Sequence, residues 1–129
     1  MQYEELTEKI IGCAFTVYNK LGFGYLESVY EKAMMIELQK TGLHAESQYP
    51  ITVYYDNDEI IGEFRADIYV ENTVIVELKS VTHIVKEFEV KLVNHLVSTK
   101  KDVGLLINFG EKQVEVKRKV RFLNSQDKI

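Results

Sequence analysis

The segment VIVELKS, Val74 to Ser80, is too apolar to lie at a surface and reads as an interior strand. Side chains alternate along a strand, so Val74, Val76 and Leu78 take one face and Ile75, Glu77 and Lys79 the other. A carboxylate and an ammonium therefore stand side by side on one face. Removing one member of a buried ion pair costs about 3 to 5 kcal/mol, so a chain that keeps both must give each a partner. The segments around this strand are constrained to supply those partners.

Apolar residues at Leu6, Ile10, Ile11, Ala14, Val17, Tyr18 and Leu21 follow the helical period, which predicts a helix over Glu4 to Leu21. The glycines of GFG, Gly22 to Gly24, end it, and a second helix is expected over Leu26 to Lys40, closed by Thr41 and Gly42. Strands are expected over Ala45 to Tyr55, Ile60 to Val70 and Val74 to Lys79, separated by the turns DNDE and ENT. A third helix with the stripe Val85, Phe88, Leu92 and Leu96 spans Ile84 to Thr99, and further strands follow at Val103 to Gly110 and Gln113 to Phe122. A strand meander, a crossover helix and further strands imply an α/β protein with a mixed central sheet and two leading helices.

With 129 residues, 46% of them hydrophobic, the chain has material for one compact domain over 1–129. The net charge of -4 argues against coating nucleic acid by charge alone and leaves room for a local basic groove. No apolar run reaches the roughly 18 residues of a membrane span, and MQYEELTEK lacks a signal-peptide profile, so a cytoplasmic protein is expected. The one cysteine, Cys13 in IIGCAFTVY, reads as a buried structural thiol.

A second acid lies next to Glu77. In EFRADIYV, alternation puts Phe64, Ala66, Ile68 and Val70 on one face and Arg65, Asp67 and Tyr69 on the other. A tight turn at Glu71 to Thr73 predicts Ile68 opposite Val76, Asp67 opposite Glu77 and Arg65 opposite Lys79. Two carboxylates about 5 Å apart repel by about 3 kcal/mol at an effective dielectric near 20, so a cation is wanted between them. Arg65 and Lys79 could serve, as a polar ladder of about 0.2 to 1 kcal/mol per pair. The alternative is Mg²⁺, held by Asp67, Glu77 and the Leu78 carbonyl, with Lys79 beside the attacking water.

Asp67 followed by Glu77-Leu78-Lys79 resembles the D…ExK signature of the PD-(D/E)xK phosphodiesterase superfamily, restriction-endonuclease-like in fold. GYLESVYEKA, Gly24 to Ala33, resembles the GxxExxY pattern of a small bacterial and archaeal family within it, through Gly24, Glu27 and Tyr30. RAD, VIVELKSV and LLINFG are similar in order and spacing, so the resemblance spans Leu21 to Gly110. It implies a metal site at one edge of the sheet, with Glu27 carried there as a further metal or water ligand. It also implies Mg²⁺- or Mn²⁺-dependent cleavage of nucleic acid, DNA ahead of RNA, with Glu27, Asp67, Glu77 and Lys79 catalytic.

By position alone, Glu27 would complement the helix dipole, worth about 0.3 to 1 kcal/mol. Tyr30 is expected to pack and to orient Glu27, and Gln48 in SQYP corresponds to a family glutamine near the site. Where the family shows ExQxxxYL, this chain has EVKLVNHL, with Lys91 and His95 in those places. Both still share one helix edge, Lys91 to hold a phosphate and His95 to stack on or bond to a nucleotide, unless they merely flank an apolar stripe. The charges of KQVEVKRKVR suit a protected edge strand or contact with a nucleic-acid backbone. The opposing functional class is a non-catalytic module with a salt-bridged acid pair, and a homodimer is the expected assembly.

Overall fold

The computed structural model describes residues 2–121. Its elements run α1 (Glu4–Leu21), α2 (Glu27–Lys40), β1 (Ala45–Tyr55), β2 (Glu59–Val70), β3 (Val74–Lys79), α3 (Lys86–Thr99), β4 (Val103–Phe109) and β5 (Val114–Val120). The expected end of the last strand at Phe122 lies outside the described residues. The sheet order is β1-β2-β3-β4-β5. Among the described strands only β3 and β4 pair in parallel, because α3 carries the chain back to the starting end between them.

Helices cover both sides of the sheet. The apolar face of α1 buries Ile10, Ala14 and Val17, and with Met34 and Leu38 of α2 it packs on Ile68, Val76, Leu105, Ile107 and Phe109. Each of the larger side chains among these contributes about 1.5 to 3 kcal/mol by leaving water. Cys13 is buried in this layer, its Sγ 3.4 Å from Thr41 Oγ1. On the opposite side α3 packs Leu92 and Leu96 on Ile75, Leu106, Ala66, Tyr69 and Ile51. It approaches closely because Gly104 has no side chain: a Cβ there would lie 2.8 Å from Leu92 Cδ1. None of the described helices is long and apolar enough to cross a membrane.

The alternation expected of β2 does not hold along its whole length. Ile68 and Val70 join the core under α1 and α2, whereas Ala66 joins the core under α3. Strand β1 does the same, with Ala45 on the first side and Tyr49 and Ile51 on the second. The pairs Ser47↔Ile68 and Tyr49↔Ala66 are formed, and the ladder skips Gln48 and Asp67 between them. Gln48 has φ 54, in the left-handed region, which costs a non-glycine residue about 1 to 3 kcal/mol. Both strands thus exchange faces together at one step, and Asp67 stands at that step.

Candidate active site

Strands β2 and β3 pair through Val70↔Val74, Tyr69↔Ile75 and Ile68↔Val76, the expected register, and then part. The pairs expected next, Asp67 with Glu77 and Arg65 with Lys79, are not formed as ladder rungs. The reason is local: Asp67 Oδ2 accepts the Leu78 N–H at 2.7 Å, so a side chain takes the place of the neighbouring main chain. The Asp67 N–H reaches Glu77 Oε2 at 3.5 Å. Beyond Val76, β3 stays on β4, with Glu77 beside Leu106 and Lys79 beside Asn108.

The parted strands open a cleft of about 290 Å³. Glu27 enters it from α2, Phe64, Arg65 and Asp67 from β2, Glu77, Leu78 and Lys79 from β3, and Phe88, Lys91 and His95 from α3. The Asp67 carboxyl is pushed up from 3.8 to about 6, first by burial and then by the charges of Glu77, Glu31 and Glu27, against the opposing Leu78 N–H. A cation between the two acids would relieve that repulsion. Arg65 and Lys79 do not supply it: neither makes an ion pair among the described residues. Arg65 Nη1 donates to the Gln48 carbonyl at 3.0 Å, and Lys79 Nζ lies 4.3 Å from the centre of the Phe88 ring.

The partner of Glu77 is His95, whose Nδ1 donates to Oε1 at 2.6 Å. His95 is 5% exposed and packs its ring 5.3 Å from that of Phe64. It is therefore turned inward onto an acid, where the sequence suggested a nucleotide contact. Lys91 is exposed at the cleft and makes no ion pair among the described residues.

Glu27 is exposed at the start of α2. Its place is fixed by the GFGY loop before it. Gly24 has φ 114, which suits glycine. Tyr30 is fully buried, stacks on Phe109 at 4.2 Å, and donates its hydroxyl to the Gly22 carbonyl at 2.5 Å. Tyr30 thus anchors the loop and does not bond Glu27. Ser80 Oγ, just past Lys79, donates to the Tyr25 carbonyl at 2.8 Å and ties the same loop to the end of β3.

Two residues of the site region went unremarked in the sequence. Glu31 follows Glu27 at i, i+4 and so shares its helix edge, a spacing that could have revealed it. It accepts the Gln48 Nε2 hydrogen bond at 2.7 Å, and burial raises its pKa against that bond. The exposed Gln48 is committed to Glu31 and to the strand step. Asn108 is fully buried, its Oδ1 accepting the Val81 N–H at 2.9 Å and its Nδ2 donating to the Val81 carbonyl at 2.9 Å and to Glu115 Oε1 at 2.8 Å. Glu115 Oε1 also accepts the Ile84 N–H at 3.1 Å, so the connection from Lys79 to α3 is braced. A lone polar residue in VGLLINFG was the available signal for Asn108. On β5 and just beyond it, Lys119 pairs with Glu89 at 2.6 Å and Arg121 with Asp102 at 2.8 Å.

Among the described residues, no three or more His, Cys, Asp or Glu side chains form a group suited to a metal ion. What the cleft offers is oxygen from two adjacent carboxylates, together with main-chain carbonyls. That donor set suits a hard divalent ion whose remaining positions are filled by water.

A comparison with curated proteins gives no match. Among solved structures, the crystal structure of SSO0001 is similar with a TM-score of 0.57 at 14% identity, over 97% of this chain and 62% of that one. At that identity the likeness speaks for the fold, and the chain spans less than two thirds of the solved protein's length. The family description of the PD-(D/E)XK nuclease superfamily matches residues 4–119. With a five-stranded mixed sheet and a parallel β3–β4 step, as in the restriction-endonuclease-like fold, the chain belongs to the PD-(D/E)XK nuclease superfamily.

Proposed function

We propose that the protein is a divalent-metal-dependent nuclease. The observation that carries this reading is the separation of charge in the cleft. Glu27, Asp67 and Glu77 share it with Arg65, Lys79 and Lys91, yet among the described residues none of the three cations forms an ion pair with those acids. Acids not neutralised by these cations, with Glu77 bonded instead to the His95 imidazole, suit a metal ion and a phosphodiester placed together.

Asp67, Glu77 and the Leu78 carbonyl would hold Mg²⁺ or Mn²⁺, with Glu27 reaching the ion or a water next to it. When bound, the ion supplies Lewis acidity toward a phosphoryl oxygen and lowers the pKa of water. Lys79 orients the attacking water and places positive charge where the transition state gathers negative charge. Lys91 and Arg65 hold flanking phosphates as cations. Gln48 acts through Glu31, and the Gly24, Glu27 and Tyr30 arrangement supports placement in the GxxExxY family. DNA is the proposed substrate class ahead of RNA, and the cytoplasm the proposed location.

The test is cleavage of single-stranded, double-stranded and branched DNA and RNA with Mg²⁺ or Mn²⁺, comparing wild type with Lys79→Ala. The variant should retain metal and nucleic-acid binding and lose cleavage by about 100-fold or more. A wild-type protein that binds but cuts nothing would make the cleft a binding module. A variant that cuts as well as wild type would assign the activity to a contaminant.

A further inference from the structure

Glu77 and Lys79 leave β3 on the same face, two residues apart, or about 6.7 Å along the strand. Long side chains at that spacing can meet and neutralise each other, yet no ion pair joins them among the described residues. Each is held by α3. His95 Nδ1 binds Glu77 Oε1 at 2.6 Å, and the Phe88 ring receives Lys79 Nζ at 4.3 Å. Phe88 and His95 lie seven residues apart, about 10.5 Å along the helix. The helix therefore spaces its two contacts more widely than the strand spaces the two charges. Leu92 stands between them, fully buried on the bare backbone of Gly104.

We propose that α3 is the positioning element of the site, with His95 and Phe88 as positioning residues that hold Glu77 and Lys79 apart. The proposal rests on the nuclease reading. The His95 bond occupies one carboxylate oxygen and leaves Oε2 on the Asp67 side, where the Asp67 N–H lies 3.5 Å away. A carboxylate fixed in this way meets a metal ion with its orientation already set, as hydrogen-bonded partners of metal ligands do. The face of Phe88 attracts the ammonium without supplying an anion, so Lys79 keeps its charge available.

The experiment pairs Mn²⁺ titration calorimetry on substrate-free protein with steady-state cleavage for His95→Ala, His95→Asn and Phe88→Leu. His95→Ala should weaken Mn²⁺ binding tenfold or more, and His95→Asn, whose amide N–H can replace the Nδ1–H, should recover most of it. Phe88→Leu should bind Mn²⁺ as wild type does while kcat falls about tenfold at unchanged KM. A folded His95→Ala with wild-type Mn²⁺ affinity, or a Phe88→Leu with wild-type kcat, overturns the proposal while leaving the nuclease reading intact. If His95→Ala does not fold, nitrogen NMR of histidine-labelled wild type decides: Mg²⁺ should shift the His95 Nδ1–H resonance, and an unshifted resonance with Mg²⁺ bound overturns the clamp. A wild type that binds neither ion sinks the nuclease reading and the clamp together, so the two failures are distinguishable.

Discussion

Strand β3 shows its two faces to different surroundings. Val74, Val76 and Leu78 point into the apolar core beneath α1 and α2, while Ile75, Glu77 and Lys79 point toward α3, where a smaller core gives way to the cleft. The first face has nothing to do except exclude water. The second must hold charges in place, and it does so with a buried imidazole, an aromatic ring and main-chain N–H groups. Adjacent residues of one strand thus answer to different demands, and changes on the two faces should separate stability from chemistry.

The largest effect belongs to the first face. Phe109→Ala removes a fully buried ring stacked on Tyr30 at 4.2 Å, and urea denaturation should show a loss of about 3 to 5 kcal/mol. A loss below about 2 would mean that this core is not the chief source of stability. Gly104→Ala tests the seat of α3. The new Cβ would meet Leu92 Cδ1 at 2.8 Å and Leu96 Cδ2 at 3.2 Å, a crowding worth about 1 to 3 kcal/mol. Because α3 also carries His95 and Phe88, Mn²⁺ binding should weaken as well, and unaltered binding would detach the helix seat from the site.

Asp67→Asn should act in the opposite direction. A carboxyl whose pKa is higher in the folded state favours folding when protonated, so its contribution is complete below about pH 4 and is lost as pH rises through about 6. The rise from 3.8 to about 6 corresponds to about 3 kcal/mol in full, and to roughly 1 to 2 once partial exposure to water is counted. The metal-free variant should therefore be more stable than wild type at pH 7, and denaturation at several pH values should show that its stability no longer falls over that range. Destabilisation at pH 7 would mean that Asp67 acts mainly as a structural acceptor for Leu78. Lys79→Ala should be the mildest. It loses one cation–π contact, worth about 0.5 to 1 kcal/mol, so a larger fall in thermal stability would place Lys79 among the residues that hold the fold.

The order of helices and strands was legible because periodicity reports which face is buried, and the β2–β3 register followed from the turn at Glu71 to Thr73. Strand alternation misassigned Ala66, because it assumes extended backbone throughout and the left-handed Gln48 breaks that assumption in the neighbouring strand. Spacing put Lys91 and His95 on one helix edge. It carried no information on depth, and depth decides that His95 meets Glu77 while Lys91 faces water. Tyr30 satisfies its hydroxyl on a main-chain carbonyl, a partner that every residue offers and that no pattern of side chains can single out.

The shared step at Gln48 and Asp67 divides the β1–β2 hairpin into two parts. Residues on the β3 side belong to the sheet proper, since β2 pairs with β3 only from Ile68 to Val70. Those on the far side, up to the turn at Asp56 and Asn57, form no ladder with β3, and Tyr54, Tyr55, Ile60 and Ile61 of that arm are exposed. Such an arm can gain or lose residues at its tip without altering the step itself. A Gly-Ser insertion between Asn57 and Asp58 should leave melting temperature and Mn²⁺ affinity unchanged. The arm is thus where insertions and deletions can accumulate among related chains, varying the shape presented beside the cleft while the acids keep their places.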